Sequence, residues 1–311
     1  MASELKKVGF YGAEGSYSHL AALEYFDEKR CSFTAVTSLE ELFSKTEEGE
    51  FDEAIVPLEN SISGSIHEVY SFLWKHKLFI IGEQPRSEEH CLCVAPGTKL
   101  SDIKVVLSHS HILKQCGLCL EKLGQDNHTK IRRIEMESTS LSAKTIADSK
   151  DPEQAAICSE IAAEIHGLEI LQRNIADMDR VVTRYVVLGR EPYRPSADGT
   201  KTKTSIAIVL HNQPQALYKA LSCFALRDIN VAKVEAQPAS VARLMPGFDW
   251  TRAFKWQFIF YIDFEAISQK QLDNAMSNLE EFCISVRLWG SYQQNLPVAI
   301  EGSPKNWACF V

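Results

Sequence analysis

The feature that most constrains this chain is an alternation of short apolar segments and amphipathic runs that stops near residue 190. "KKVGFYG", "FDEAIVP", "KLFIIGE", "HCLCVAP", "KVVLSH", "AAICS" and "TRYVVLG" are each closed by Gly, Pro or charge and read as strands. Between them, residues 18–28, 39–49, 65–76, 111–122, 140–149 and 159–166 carry helical patterns. The alternation predicts an α/β class with largely parallel sheets and helices on both faces. Ligands of such sheets lie at the carboxyl ends of strands.

The alternation breaks at "GREPYRPSADGTKTK", residues 189–203, which is rich in Pro, Gly and charge and reads as a linker. Beyond it the order changes. Strands are expected at 204–210, 231–235, 255–264 (Trp256, Phe258 and Phe260 alternating) and 285–289. Helices are expected at 214–227, with Leu217, Leu221 and Phe224 on one face, and at 268–282. A loop with Pro246 and Gly247 fills 239–253. This βαββαβ order is the ferredoxin-like arrangement, an antiparallel sheet with helices on one face. The expected organisation is a region at 1–190, a linker at 191–203, a second domain at 204–293 and a tail at 294–311 without pattern. The tail is not a CaaX box, because Cys309 stands too near the end.

Composition excludes several classes. The 311 residues are 45% hydrophobic and 24% charged, ordinary for a globular protein with a full core. Net charge is −8 with no basic run, which removes the electrostatic footprint of a nucleic-acid partner. No apolar run reaches membrane-span length, and "MASELKK" lacks the apolar region of a secretory signal. The expected location is the cytoplasm, or a plastid stroma if a transit peptide has been removed. Nine cysteines, an odd number and scattered, argue for a reducing compartment. A zinc site would need His90, Cys91 and Cys93 to meet Cys116 and Cys119; without zinc-knuckle glycines these read as small buried hydrophobes.

Certain stretches carry hydroxyls, amides or carboxylates at strand ends. "GAEGSYSHLAA", residues 12–22, is a Gly-rich turn opening a helix; its N–H groups with Ser16 and Ser18 either hold an anion or form a plain cap. "AIVPLENSISGSI", residues 54–66, breaks at Pro57 and puts Glu59 and Asn60 at a strand end, followed by Ser61, Ser63, Gly64 and Ser65. "ESTSLSAK" places Glu137 before the capping hydroxyls of Ser138, Thr139 and Ser140. "VVTRYVVLG" sets Thr183, Arg184 and Tyr185 at a buried strand. None is a Walker loop, a dinucleotide fingerprint or an H-E-x-x-H site. Together they describe a polar pocket for a small anion.

In their order, "GAEGSYSHLAA", "VPLENSISGSI", "EEHCLCV", "VLSHSHILKQC", "ESTS", "SEIAAEIHGL" and "VTRYVVLG" resemble the prephenate dehydratases and related arogenate dehydratases of phenylalanine biosynthesis. "ALYKALSCFALRDINVAKVEAQP", "FIFYIDFE" and "RLWGSY" resemble the ACT regulatory domain that follows in this family. The resemblance implies a two-lobed, periplasmic-binding-protein-like catalytic region, with one lobe at roughly 7–85 plus 180–190 and the other at roughly 86–179. It implies a carbon-oxygen lyase that removes carbon dioxide and a ring hydroxyl from prephenate or arogenate, driven by aromatisation, with no metal or organic cofactor. Positioned polar groups at the leaving oxygen would supply most of the barrier lowering, and a general acid roughly 10²–10⁴-fold.

The same resemblance assigns roles. Thr183 hydrogen-bonds the leaving hydroxyl as a donor or relay. Glu59 and Asn60 orient ring substituents, Glu59 protonated if buried. Ser108, Gln115 and Glu137 stand around the same cleft. Ser16, Ser18, Ser61, Gly64, Ser138, Thr139, Ser140, Arg184 and Tyr185 contact substrate, Arg184 either pairing with a carboxylate or bracing the hinge. Asn212, Gln215, Ala216, Leu217, Glu235, Ala236, Gln237 and Pro238 form an amino-acid effector site, with phenylalanine as the family effector. A homodimer or homotetramer through ACT domains is implied.

The chain also departs from the family pattern. Val181 stands where Asn is usual and Tyr185 where Phe is; Ser110-His111 replaces Pro-Gln. Gln215-Ala216-Leu217 replaces Gly-Ala-Leu, and Glu235-Ala236-Gln237-Pro238 replaces Glu-Ser-Arg-Pro. A side chain is added where a backbone turn approaches the ligand, and a bidentate Arg is lost. The expected regulation is insensitivity, activation, or tuning to another amino acid. Val181 and His111 also keep open a second reading, a weakened or inactive homologue that binds a small anion or amino acid.

Overall fold

The structure, a computed structural model, describes residues 5–178, 180–193, 202–238, 257–266 and 268–295. The 239–253 loop, the start of the strand expected at 255, and most of the expected linker and tail lie outside the described residues. Contacts divide the chain into two compact units: Met1–Leu42, Ile55–Ile66 and Pro85–Tyr185 make one, and Phe43–Ala54, His67–Gln84 and Val186–Val311 the other.

The chain opens with β1 (Lys6–Tyr11), α1 (Tyr17–Tyr25), β2 (Cys31–Val36), α2 (Leu39–Glu48), β3 (Glu53–Asn60), the two-residue β4 (Gly64–Ser65), α3 (His67–Lys75) and β5 (Phe79–Ser87). There follow β6 (Cys91–Val94), β7 (Val105–His109), α4 (Ser110–Gln115), α5 (Gly117–Asp126), β8 (Arg132–Met136), α6 (Thr139–Ser149), β9 (Gln154–Cys158), α7 (Glu160–Ile165) and β10 (Glu169–Gln172). β11 (Val182–Gly189) returns to the first sheet, whose order is β2-β1-β3-β11-β5 with β4 on β3. The second sheet has the order β10-β6-β9-β7-β8.

Two expectations change here. The second sheet is mixed: β7 is parallel to β8 and β9, while β6 is antiparallel to β9 and β10. Besides the two-residue β4, three strands had no sequence signal, β2, β8 and β10, and all three are sheet edges. An edge strand meets a neighbour on one side only and carries polar side chains, so "RRIEM" and "EILQ" lack the apolar run of a central strand.

The helix expected at 111–122 is two helices broken at Cys116, whose ψ of 24° leaves the helical range. The break frees the first N–H groups of α5, and Asp177 Oδ1 accepts from Leu118 N at 2.9 Å and Cys119 N at 3.4 Å. The helix expected at 65–76 starts two residues later, because Gly64 and Ser65 pair with Asn60 and Glu59 as a strand.

The C-terminal elements are β12 (Thr202–Leu210), α8 (Ala216–Ala225), β13 (Asn230–Pro238), β14 (Phe258–Ala266), α9 (Gln269–Phe282) and β15 (Cys283–Gln293). They give an antiparallel sheet of order β13-β14-β12-β15, the expected ferredoxin-like arrangement. Ile206, Ile208, Phe224, Ile262, Phe264, Ala275 and Leu279 form the core between this sheet and its helices. Among the described residues, no helix is long and apolar enough to cross a membrane.

Candidate active site

Asn60 ends β3 and Thr183 is the second residue of β11, and these strands are neighbours. Asn60 Nδ2 donates to Thr183 Oγ1 at 2.8 Å. The amide orientation is fixed locally, because Asn60 Oδ1 accepts from Ile62 N at 3.0 Å and Ser63 N at 3.1 Å, an Asx turn closing the strand. Gln115, the last residue of α4, donates to the same oxygen at 3.3 Å. Thr183 is only 3% exposed, and its own proton meets no acceptor among the described residues. The hydroxyl is held by its oxygen and left with a proton to give.

Glu59 and Arg184 are the chain neighbours of Asn60 and Thr183, on strand positions whose side chains alternate between faces. Arg184 Nε donates to Glu59 Oε1 at 2.5 Å. The Glu59 side chain is 29% exposed and meets a guanidinium rather than an apolar wall. Ser61 brackets β11: its N–H donates to Val182 O at 2.8 Å and its Oγ accepts from Val182 N at 3.0 Å. Tyr185 is buried, and its hydroxyl donates to Glu88 Oε1 at 2.9 Å. Burial, reinforced by Glu88, pushes the Tyr185 phenol far above its usual range and keeps it a neutral donor. Gly64 is exposed, with φ +76°.

The remaining expected residues hold the frame. Ser108 Oγ donates to Ile157 O at 2.7 Å and ties β7 to β9. Ser16 caps α1 by accepting from His19 N, and Ser138 caps α6 by accepting from Leu141 N. Ser140 Oγ donates to Glu14 O at 2.5 Å, in the Gly-rich turn. Ser18 and Thr139 are buried, and Glu137 is exposed just before the cap of α6. The structure therefore joins Asn60, Gln115 and Thr183 in one hydrogen-bonded group, pairs Glu59 with Arg184 separately, and gives Ser16, Ser108, Ser138 and Ser140 backbone partners.

Sequence reasoning missed two residues of this network. His90 is fully buried; its Nε2 lies 2.9 Å from Gln115 Oε1 and its Nδ1 2.6 Å from the Tyr17 hydroxyl. Both sit in stretches singled out for other reasons, Tyr17 within the Gly-rich turn and His90 within "HCLC". The available signal was a histidine inside an apolar strand sequence, which needs a partner for each ring nitrogen. Cys91 and Cys93 pack with Cys158, while Cys116 belongs to a different core cluster. Burial raises the Cys91 thiol to about 11, so it stays protonated and inert.

The expected effector residues lie at a cavity beside α8 and along β13. Asn212, Ala216 and Leu217 line a 170 Å³ cavity with Leu210, Phe258 and Phe260. Gln215 stands next to it in the left-handed region at φ +66°, where glycine is favoured. Along β13, Glu235 Oε1 lies 3.7 Å from His67 Nε2, and Gln237 Oε1 accepts from the Tyr261 hydroxyl at 2.8 Å. Ala236 and Pro238 pair with Phe260 and Phe258 across the strand ladder.

Comparison with known proteins identifies the family. A family model for prephenate dehydratase matches residues 8–193. Arogenate dehydratase/prephenate dehydratase 1 of Arabidopsis thaliana is 39% identical over 93% of this chain and 72% of its own length. The bifunctional chorismate mutase/prephenate dehydratase of Escherichia coli K12 is 32% identical over 95% of this chain and 72% of its own. The crystal structure of an Arthrobacter aurescens prephenate dehydratase in complex with L-Phe superposes with a TM-score of 0.79 at 26% identity, covering 93% of this chain and 90% of that one. The chain, a lyase built on two mixed α/β sheets with a smaller C-terminal ACT sheet, belongs to the prephenate dehydratase family.

Proposed function

We propose that this enzyme converts prephenate to phenylpyruvate, arogenate to phenylalanine, or both. The observation that carries the reading is the Gln115–Asn60–Thr183 arrangement, which leaves the threonine proton available. The ring carboxylate departs as carbon dioxide, its bonding pair enters the ring, and the carbon–oxygen bond opposite breaks as the ring becomes aromatic. The departing hydroxide takes one proton and leaves as water. Thr183 donates a hydrogen bond to that oxygen; it is too weak an acid to remain ionised, so the proton that the hydroxide takes comes from solvent and is relayed through the threonine hydroxyl. Arg184 carries a positive charge that Glu59 balances, a pair suited to orienting a carboxylate of the substrate.

In this reading residues 1–190 hold the chemistry and residues 204–293 the amino-acid response, at the cavity beside Asn212, Ala216 and Leu217. The absence of Gly at 215 and of Arg at 237 supports an effector response other than ordinary phenylalanine inhibition. Assembly is a dimer or tetramer through ACT sheets, in a compartment that supplies the substrate, cytoplasm or plastid stroma.

A second reading, a weakened homologue that only binds the anion, is favoured by Val181, buried at 1% exposure where the family carries a polar Asn. Prephenate and arogenate run side by side separate the two. Phenylpyruvate is followed by its ultraviolet absorbance and phenylalanine by amino-acid analysis. Turnover of either, reduced at least tenfold in Thr183→Ala with the fold intact, supports the enzyme; binding without turnover supports the second reading.

A further inference from the structure

We propose that His90, held by Tyr17, is a positioning residue that orients the active-site amides and through them the Thr183 hydroxyl; this rests on the dehydratase reading above. The constraint on these amides starts at Asn60. Its Oδ1 already accepts two backbone N–H groups, so whatever else approaches that oxygen must donate. Gln115 approaches it at 3.3 Å and therefore presents Nε2. Swapping the Gln115 amide would set two carbonyl oxygens against each other in a buried site. Gln115 Oε1 consequently faces His90 Nε2 at 2.9 Å, and that nitrogen must carry a proton.

The other ring nitrogen is held from the opposite side. His90 Nδ1 faces the Tyr17 hydroxyl at 2.6 Å, and the single proton of that hydroxyl is divided between this nitrogen, the shorter contact, and Glu89 O, which accepts at 3.0 Å. Burial raises the Tyr17 phenol well above its usual range, so it remains a hydroxyl throughout. The result is a row of hydrogen bonds whose protons all point towards Thr183: His90 to Gln115, Gln115 to Asn60, Asn60 to Thr183. Each donor polarises the next, and the last bond polarises the hydroxyl that faces the leaving group. Without the His90 proton, the Gln115 amide loses the constraint that fixes its direction, and Asn60 Oδ1 loses the one donor that comes from outside residues 60–63. His90 touches no reacting atom; it acts through Gln115.

The test compares His90→Leu, His90→Gln and His90→Asn with the wild type. A glutamine places its amide nitrogen near the depth of Nε2, whereas an asparagine ends near Nδ1. The expected result is a kcat at least tenfold lower in His90→Leu and His90→Asn with KM little changed, and substantial recovery in His90→Gln. Equal turnover in the leucine and glutamine variants, or wild-type kcat in His90→Leu, overturns the proposal. A nitrogen-15 spectrum of the wild type reads the same claim without activity and without a variant that has to fold. A proton on His90 Nε2 is expected, and a ring protonated on Nδ1 alone overturns it. Wild-type enzyme that turned over neither substrate would sink the dehydratase reading separately, and the nitrogen spectrum would still decide the geometry.

Discussion

One lone pair on His19 holds the Gly-rich turn at the start of α1. Its Nδ1 accepts from Gly15 N at 3.1 Å, and the ring stacks on Phe10 with centroids 4.6 Å apart. Partial burial lowers the imidazole from its ordinary value of 6.5, against the opposing pull of Glu14 and Glu28. The unfolded chain therefore binds a proton, as pH falls below 6.5, that the folded chain still refuses. The contribution is complete above 6.5 and is lost as pH drops through the lower folded value. His19→Asn keeps an acceptor near the position of Nδ1 and removes the titration. Its denaturation midpoint, followed from pH 7.5 to 5, is expected to fall less steeply than that of the wild type; parallel curves would refute the assignment. The same residue shows the limit of reading the turn from sequence. "GSYSH" is legible as a helix start, but its hydroxyls and N–H groups suit an anion as well as a cap. Only the fold reveals that His19, Ser140 and Ser159 take the polar groups of Gly15 and Glu14.

At the scale of elements, that turn is also a packing joint. Ser159 Oγ donates to Gly15 O at 2.6 Å and caps α7 through Ala162 N at 3.1 Å. A Cβ on Gly15 would lie 2.8 Å from the Ala162 Cα, and Gly15 holds φ +76°. Gly15→Ala combines left-handed strain with a backbone clash, and a loss of about 2–4 kcal/mol is expected. Gly97 is the control, since its φ is +86° but a Cβ there meets nothing within 4 Å. Gly97→Ala is expected to lose only about 1–2 kcal/mol. Urea denaturation of both variants measures the difference, and equal losses would remove the packing argument. The elements themselves were legible where both faces are buried. β3, β9 and β11 show unbroken apolar runs because each has a neighbour on either side. β2, β8 and β10 were not, because an edge needs no such run. The break in the helix at Cys116 escaped for a related reason: its cap, Asp177, comes from far along the chain, and local sequence carries no trace of it.

At the scale of the molecule, α3 shows why composition alone misplaces a boundary of stability. Its buried residues, Val69, Tyr70, Leu73 and Trp74, span a wider face than one neighbour covers. Within its unit, Tyr70 stacks on Tyr261 with centroids 4.3 Å apart, and Trp74 meets Trp289 edge-on at 5.6 Å. Arg287 donates to Trp74 O and His76 O, each at 2.5 Å, satisfying carbonyls at the end of α3. Lys203 Nζ donates to both Glu83 oxygens at 3.0 Å, and Glu83 is 1% exposed. Residues 67–84 thus share one compact unit with the C-terminal sheet, although the Pro- and Gly-rich break lies more than a hundred residues later. A chain ending at residue 193 would expose two large aromatic rings and take the Lys203 ammonium away from the Glu83 carboxylate. Aromatic exposure costs about 1.5–3 kcal/mol per ring, and removing one partner of a buried ion pair costs up to about 3–5 kcal/mol. The shortened chain is therefore expected to melt well below the full-length protein and to scatter light on heating. The counterpart variant is Lys203→Met with Glu83→Leu in the full chain, which removes both charges while keeping the rings covered. It is expected to retain most of the stability that Lys203→Met alone loses. A shortened chain that melted with the full-length protein would show that the first 193 residues are stable without the C-terminal sheet.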